Sequence, residues 1–247
     1  MSKVALITGA SSGFGRASAR LLAQNDWQLI LVARRMDRLQ ALQTELGNAV
    51  IACVQLDVRD KAAVETLLTP YNGQVNLLVN NAGLAVGLDP AWGANLDDWE
   101  RMVDTNIKGL NYVTRALLSG MVAKKKGHVI NMGSIAGSYP YPGGNAYGAT
   151  KAYVEQFSLN LRADLHGTGV RVTNIEPGLA ETEFSNVRFK GDDDRADALY
   201  EGLDPLTPED VAEAIRWAAE LPAHVNINRV ELMPTCQSFG PLPIHKD

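Results

Sequence analysis

Short apolar runs alternate with longer amphipathic segments along the whole chain, and no other feature constrains the fold as tightly. Strand-like runs fall at Val4–Thr8, Gln28–Ala33, Val50–Leu56, Val75–Asn80, His128–Met132, Val170–Ile175 and Val225–Leu232. Helical patterns fall between them, at Gly15–Gln24, Met36–Leu46, Lys61–Leu68, Leu96–Ser119 (with room for a bend), Ala146–Leu165 and Pro208–Leu221. The strand runs are apolar throughout rather than every second residue, so they are expected to be covered on both faces. Strands and helices in strict alternation give a parallel sheet with helices on both sides, the α/β class. A length of 247 residues allows one large domain of this kind or two small ones, and there is no Ser/Pro-rich linker, repeat or low-complexity tract.

The pattern breaks at Glu181–Asp204, a polar stretch with the charge run Lys190 to Arg195. An insertion of this length just before the last helix is expected to be a lid over a site. That helix has its own start signal, Thr207 as N-cap with Pro208 at the first helical position.

Charge and composition exclude several classes. The net charge of −5 leaves no general basic field for nucleic acid. The run Lys124-Lys125-Lys126 is expected to end a helix, where cations meet the negative end of the dipole. No stretch of about 18 apolar residues exists, so no membrane association is expected. The opening residues lack the basic and apolar regions of a signal peptide. With Cys53 and Cys236 far apart, two reduced thiols in a cytoplasmic protein are expected. No His/Cys/Asp cluster has metal-ligand spacing, so no metal site is expected.

Residues suited to chemistry collect at the carboxyl ends of the strand runs, where open α/β sheets bind ligands. Thr8-Gly-Ala-Ser-Ser-Gly-Phe-Gly15 joins the first strand to the first helix. Its glycines allow a tight turn and a close backbone approach, and the helix N-terminus attracts phosphate. The second strand ends in Ala33-Arg34-Arg35, where an NAD site would usually carry an acid for the ribose hydroxyl. Two guanidinium groups suit a 2′-phosphate instead, so NADP(H) is expected over NAD(H). Asp57-Val58 follows the third strand, and Asn80-Asn-Ala-Gly83 the fourth. Ser134 lies on a glycine-bearing turn after the fifth. Tyr147 and Lys151 are four residues apart on a helical pattern, hence on one face. An ammonium beside a phenol favours phenolate, which would bring Tyr147 down from about 10 and let it exchange a proton near neutral pH.

Taken together, the Thr8–Gly15 turn, Asn80-Asn-Ala-Gly83, Asn106, Ser134, Tyr147-Gly-Ala-Thr-Lys151 and Pro177-Gly178 resemble a classical short-chain dehydrogenase/reductase over essentially the whole chain. The resemblance implies one Rossmann-type, doubly wound α/β domain across residues 1–247, with the lid at about 181–204. It implies Tyr147 as general acid/base, Lys151 as its tuner and the holder of the nicotinamide ribose, and Ser134 as a donor to the reacting oxygen. Asn106 would complete a proton relay through water and Lys151. The implied contacts of NADP(H) are Gly9, Ser11, Ser12, Gly13, Phe14, Gly15, Arg34, Arg35, Asp57, Val58, Asn81, Ala82, Gly83, Tyr147, Lys151, Pro177, Gly178 and Thr182.

A narrower resemblance runs through Asn81-Ala-Gly-Leu-Ala85, Asp164-Leu-His-Gly-Thr168, Glu176-Pro-Gly-Leu179, Thr182 to Asp192 and Leu221 to Asn228. These segments are similar to bacterial NADP-dependent 3-hydroxy acid dehydrogenases, which act on serine, allo-threonine or malonic semialdehyde. Sulfoacetaldehyde reductases are closely related, and Gly178-Leu-Ala-Glu-Thr-Glu-Phe184 fits them as well. Either substrate class needs a cation for its carboxylate or sulfonate, and Arg188 in the lid is the expected contact. Lys246 is a second candidate, reaching from a neighbouring subunit of an expected homotetramer. A non-catalytic NADP(H)-sensing module would be free to lose Ser134, Tyr147 or Lys151, yet all three are present.

Overall fold

The computed structural model describes residues 3–238, and for residues 195–197 the backbone alone. Lys246 and the end of the chain lie outside the described residues. A seven-stranded, all-parallel sheet forms from β1 (Lys3–Thr8), β2 (Trp27–Ala33), β3 (Val50–Gln55), β4 (Leu77–Asn80), β5 (Gly127–Met132), β6 (Val170–Pro177) and β7 (Arg229–Leu232). Their spatial order is β3-β2-β1-β4-β5-β6-β7. The chain therefore builds outward from β1 to β3, then returns to set β4 beside β1. That reversal opens a crevice at the carboxyl ends of β1 and β4.

The uninterrupted apolar strands have the reason expected of them. Ala5, Ile7, Leu29 and Leu31 face a core closed by α1 (Gly13–Gln24), α2 (Met36–Leu46) and α9 (Pro208–Glu220). Their neighbours Val4, Leu6, Ile30 and Val32 face the opposite core, closed by α3 (Lys61–Leu68), α5 (Leu110–Ala123) and α6 (Asn145–Asp164). Alternate side chains leave a strand on opposite faces, and here both faces are buried.

Three segments depart from expectation. The long pattern at 96–119 splits into α4 (Leu96–Val103) and α5, joined by a π-helical turn at Asp104–Gly109. The wide turn places Asn106 in the interior, and Gly109 passes so close to Val58 that a Cβ would lie 2.6 Å from its Cγ2. The final strand starts at Arg229 rather than Val225, because Asn226 ties this stretch to β6 with its side chain. Asn226 Oδ1 accepts from Val172 N at 2.8 Å, and Nδ2 donates to Val172 O at 3.0 Å. The segment 181–204 contains two short helices, α7 (Phe184–Arg188) and α8 (Asp193–Ala198). Its ends meet, since Ala180 and Leu206 form a parallel bridge and Glu181 N donates to Leu206 O at 2.9 Å.

The start signal expected of the last helix holds. Thr207 caps α9 in a capping box with Asp210, with Pro208 in the first turn. Lys124 follows α5 and donates from Nζ to Val75 O at 3.0 Å. Both cysteines are free. Among the described residues no helix is long and apolar enough to cross a membrane, and no cluster of three metal-ligating side chains occurs.

Candidate active site

The glycine-rich turn lies in the crevice between β1 and β4. Gly9 and Gly13 have φ of 66° and 50°, which glycine adopts without steric cost. Asn81 straps the turn to β4, its Nδ2 donating to Thr8 O at 2.9 Å and Gly9 O at 3.2 Å. A Cβ on Gly15 would lie 2.4 Å from Gly9 O and 2.5 Å from Asn81 Nδ2, so only glycine lets α1 start this close to β1. Ser12, the N-cap of α1, makes no side-chain cap bond, and the first turn carries no acid. The leading N–H groups of α1 are thus left without side-chain partners at the mouth of the crevice, as an anion site requires.

One cleft collects most of the expected cofactor residues. Gly9, Ser11, Ser12, Gly13, Phe14, Arg34, Arg35, Asp57, Val58, Asn81, Ala82, Gly83, Tyr147, Lys151 and Thr182 all line it. Gly15, Pro177 and Gly178 are not part of its lining. Gly15 is buried behind the turn. Pro177 lends its carbonyl to Ser134 Oγ at 3.4 Å. Gly178 packs on Gln237, whose Oε1 would sit 2.3 Å from a Cβ there and accepts from Leu179 N.

The two arginines after β2 behave differently from one another. Arg34 is exposed, and its charge helps lower the nearby Asp57 carboxyl. The larger cause of that lowering is Arg59, which grips Asp57 at 2.6 Å. Arg35 reaches back to the turn, donating from Nη2 to Ser12 Oγ at 2.9 Å and Ser11 Oγ at 3.1 Å. Its partner in charge is Arg38, because both hold Glu183 at the start of α7. Arg38 and Glu183 were not among the expected site residues. Arg38 was legible in principle, lying three residues after Arg35 at the start of α2 and so on the same face. Glu183 carries no such local signal.

Tyr147 and Lys151 line the cleft, and Ser134, which is not part of the lining, hydrogen-bonds Tyr147. Ser134 opens a single 3₁₀ turn at Ile135–Gly137 and accepts from Ala136 N at 3.1 Å. The turn rests on β6, since a Cβ on Gly133 would meet Asn174 Oδ1 at 2.6 Å and Glu176 Cγ at 2.8 Å. Burial pushes the Glu176 carboxyl up to about 7, and Arg229, with Nε 2.6 Å from Oε2, works against that rise. Tyr147 is buried on α6 beside Phe184 of α7, ring centres 5.7 Å apart. Burial pushes the Tyr147 phenol up to about 12, while a hydrogen bond with Ser134 and the charge of Arg188 pull it down.

Lys151 stands beside Tyr147 on the same face of α6. Lys151 Nζ donates to Met132 O at 2.7 Å and lies 5.7 Å from the centre of the Tyr147 ring. Burial lowers its ammonium to about 8. Packing directs Nζ toward the end of β5. Asn106 is likewise committed. Its Oδ1 accepts from Leu84 N at 2.9 Å, and Nδ2 donates to Leu84 O at 2.8 Å and Thr150 Oγ1 at 3.0 Å. Its side chain therefore clamps the loop after β4 to α6, and carries no spare donor for a relay.

Arg188 does reach the site. Its guanidinium carbon lies 5.7 Å from the centre of the Tyr147 ring and 5.3 Å from that of Tyr141. Nη2 donates to Tyr141 Oη at 2.6 Å, and its carbonyl accepts from Gly87 N at 2.9 Å. Nε is buried without a hydrogen-bond partner among the described residues. Tyr141 is a third residue missed from sequence, placed by the turn Pro140–Gly144 that leads into α6.

Comparison with known proteins agrees with this architecture. The sequence model described as short chain dehydrogenase matches residues 3–193. The chain is 58% identical over 247 residues to the NADP-dependent 3-hydroxy acid dehydrogenase YdfG of Salmonella typhi, covering 98% of this chain and 99% of that protein. It is 51% identical over 252 residues to sulfoacetaldehyde reductase 2 of Chromohalobacter salexigens, covering 100% of both. A solved structure, the closed form of serine dehydrogenase complexed with NADP+, superposes with a TM-score of 0.96 at 55% identity, covering 99% of this chain and 100% of that one. The doubly wound sheet, the glycine turn and the Ser134, Tyr147 and Lys151 cluster are thus those of a member of the short-chain dehydrogenase family, to which this chain belongs.

Proposed function

We propose that the chain is an NADP(H)-dependent oxidoreductase that interconverts a small 3-hydroxy acid and its 3-oxo acid or semialdehyde. The cleft fits a dinucleotide phosphate on its own observations. The start of α1 is free of side-chain caps, a Cβ on Gly83 would fill the space between Asn106 Oδ1 and Lys151 Nζ, and two guanidinium groups converge at the outer end. The glycine turn and α1 would hold the pyrophosphate, Arg35 with Arg38 and Arg34 the 2′-phosphate, Asp57 and Val58 the adenine. Asn81 to Gly83, Lys151 and Thr182 would hold the nicotinamide half. When bound, the nicotinamide supplies or accepts the hydride.

The chain's own residues handle the proton and the charge. Tyr147, held neutral by burial, gives its phenolic proton to the reacting oxygen in the reducing direction and takes it back in the other. Ser134 presents its hydroxyl to the same oxygen, where negative charge develops. Lys151 steadies its proton on Met132 O beside the ring. Asn106 positions rather than reacts, fixing Leu84 and Thr150 around the cluster.

The observation that carries the substrate class is Arg188, whose guanidinium stands beside Tyr147 with Nε buried and unpartnered. A buried donor without a partner costs roughly 1–3 kcal/mol, a cost that an anionic substrate group would relieve. A short acid places its anion and its reacting oxygen within one such site. The same fork accepts a sulfonate, so reduction of sulfoacetaldehyde is the second reading. The test is steady-state reduction of malonic semialdehyde, sulfoacetaldehyde and a neutral aldehyde with NADPH, side by side. A kcat/KM advantage for malonic semialdehyde supports the hydroxy acid, and one for sulfoacetaldehyde moves the protein to sulfonates. An advantage for the neutral aldehyde would overturn both. A homotetrameric assembly is part of the same proposal and rests on family resemblance; sedimentation would check it.

A further inference from the structure

The lid touches the cofactor end of the cleft as well as the substrate end, through the two ends of one short helix. Glu183 stands at the N-terminus of α7 and Arg188 is its last residue. The Glu183 carboxylate lies 2.8 Å from Arg38 Nη1 and 3.2 Å from Arg35 Nη1. Arg35 is at the same time bonded to Ser11 and Ser12 of the glycine turn. Two guanidinium groups and a serine-bearing turn thus surround one carboxylate, an arrangement suited to a multivalent oxyanion.

We propose that Glu183 is an internal stand-in for the cofactor's 2′-phosphate: it holds Arg35 and Arg38 in the free protein, and that phosphate displaces it, so that α7 shifts on binding NADP(H) but not NAD(H). The inference rests on the NADP(H) reading above. Three physical points carry it. First, the side chains of Arg35, Arg38 and Glu183 are 42, 41 and 45% exposed, so solvent screens the pairing and it yields readily. Second, a phosphate offers more charge and more acceptor oxygens than a carboxylate, so it wins the same guanidinium groups. Third, Glu183 and a 2′-phosphate repel each other, so both do not stay on the arginines. Withdrawal of Glu183 moves the helix that ends in Arg188, whose guanidinium stands over Tyr147. Occupancy of the phosphate site is thereby transmitted to the acid/base.

The test uses the full chain and binding rather than turnover. Wild type, Glu183→Gln, Arg38→Gln and the double variant are titrated calorimetrically with adenosine 2′,5′-bisphosphate, NADP+ and NAD+. Glu183→Gln should bind the bisphosphate and NADP+ roughly threefold to fivefold more tightly than wild type, as expected from loss of a competing ion pair, with NAD+ unchanged. Arg38→Gln should weaken both phosphate ligands, and the gain from Glu183→Gln should shrink in that background. Amide hydrogen exchange of residues 183–190 should change when the bisphosphate binds wild type, and not with adenosine 5′-monophosphate. Unchanged affinity in Glu183→Gln, or equal tightening toward NAD+, would overturn the inference while leaving the NADP(H) reading intact. A wild type that prefers NAD+ to NADP+ would overturn that reading, and the inference with it.

Discussion

Lys151 Nζ lies 5.7 Å from the centre of the Tyr147 ring and donates to the Met132 carbonyl at 2.7 Å. The two residues share one face of α6, but the ammonium is anchored to the end of β5 and not to the phenol. The phenol instead feels Ser134 and Arg188. Burial acts most strongly on its proton, and the groups that pull against burial come from the turn after β5 and from α7.

Tyr147→Phe removes the proposed proton carrier and little else, since ring burial is retained. Turnover should fall by about 10²–10⁴-fold, the usual contribution of a general acid/base. The melting temperature should stay close to that of wild type. Steady-state rates and a thermal scan on the same preparation check both.

Burial of Lys151 makes stability depend on pH with a definite sign. Its ammonium falls from 10.5 in the unfolded chain to about 8 in the native one. Between those values the unfolded state binds a proton that the native state lacks, so stability rises with pH. Tyr147 acts oppositely, because its rise from 10 to about 12 lets the native state keep a proton the unfolded state has lost, so stability falls there. Wild type should gain stability from pH 8 to 10, and Lys151→Met should lose that gain. Urea midpoints at half-unit pH steps would show it, and parallel curves for the two proteins would refute it.

Arg188→Ala should raise KM for carboxylate or sulfonate substrates by roughly tenfold or more, the worth of a charge-assisted hydrogen bond, and spare KM for a neutral aldehyde. Tyr141→Phe removes the 2.6 Å bond that fixes the guanidinium and should reproduce a smaller part of the same pattern. Equal KM losses on neutral and anionic substrates would count against an anion contact.

Gly15→Ala places a Cβ 2.4 Å from Gly9 O, a backbone atom that has no free rotation to escape it. The turn and α1 must separate, at a cost of about 1–3 kcal/mol by analogy with overpacked cores. NADP+ affinity and melting temperature should fall together, as calorimetry and thermal scans can follow.

Thr207→Ala removes half of the capping box at α9, far from the cleft. A loss of about 1 kcal/mol is expected, with KM for cofactor and substrate unchanged. Because α9 packs against α1, a change in cofactor KM would mean that the cap reaches the glycine turn through that contact.

Much of the molecule was legible from local pattern. The continuous apolar runs gave the strands their places, and α2 and α3 begin and end where the periodicity put them, because both depend on neighbours within a turn or two. The bend allowed for in the 96–119 pattern could not be placed at Asp104–Gly109 from local pattern, since the π-helical turn is set by contacts such as Gly109 against Val58. That Arg38 shares Glu183 with Arg35 was not read from the sequence, since Glu183 is distant along the chain from both.

The amino-acid sequence by itself determined the order of elements, the glycine turn at β1 and the common helical face of Tyr147 and Lys151, because these follow from backbone sterics and a period of 3.6 residues. Tertiary structure alone decided that Lys151 bonds Met132, that Arg188 stands beside Tyr147, and that Glu183 occupies the arginine pair. Each of those joins residues that are distant along the chain, and their charges and pKa values are set by burial and by which partners packing brings within reach.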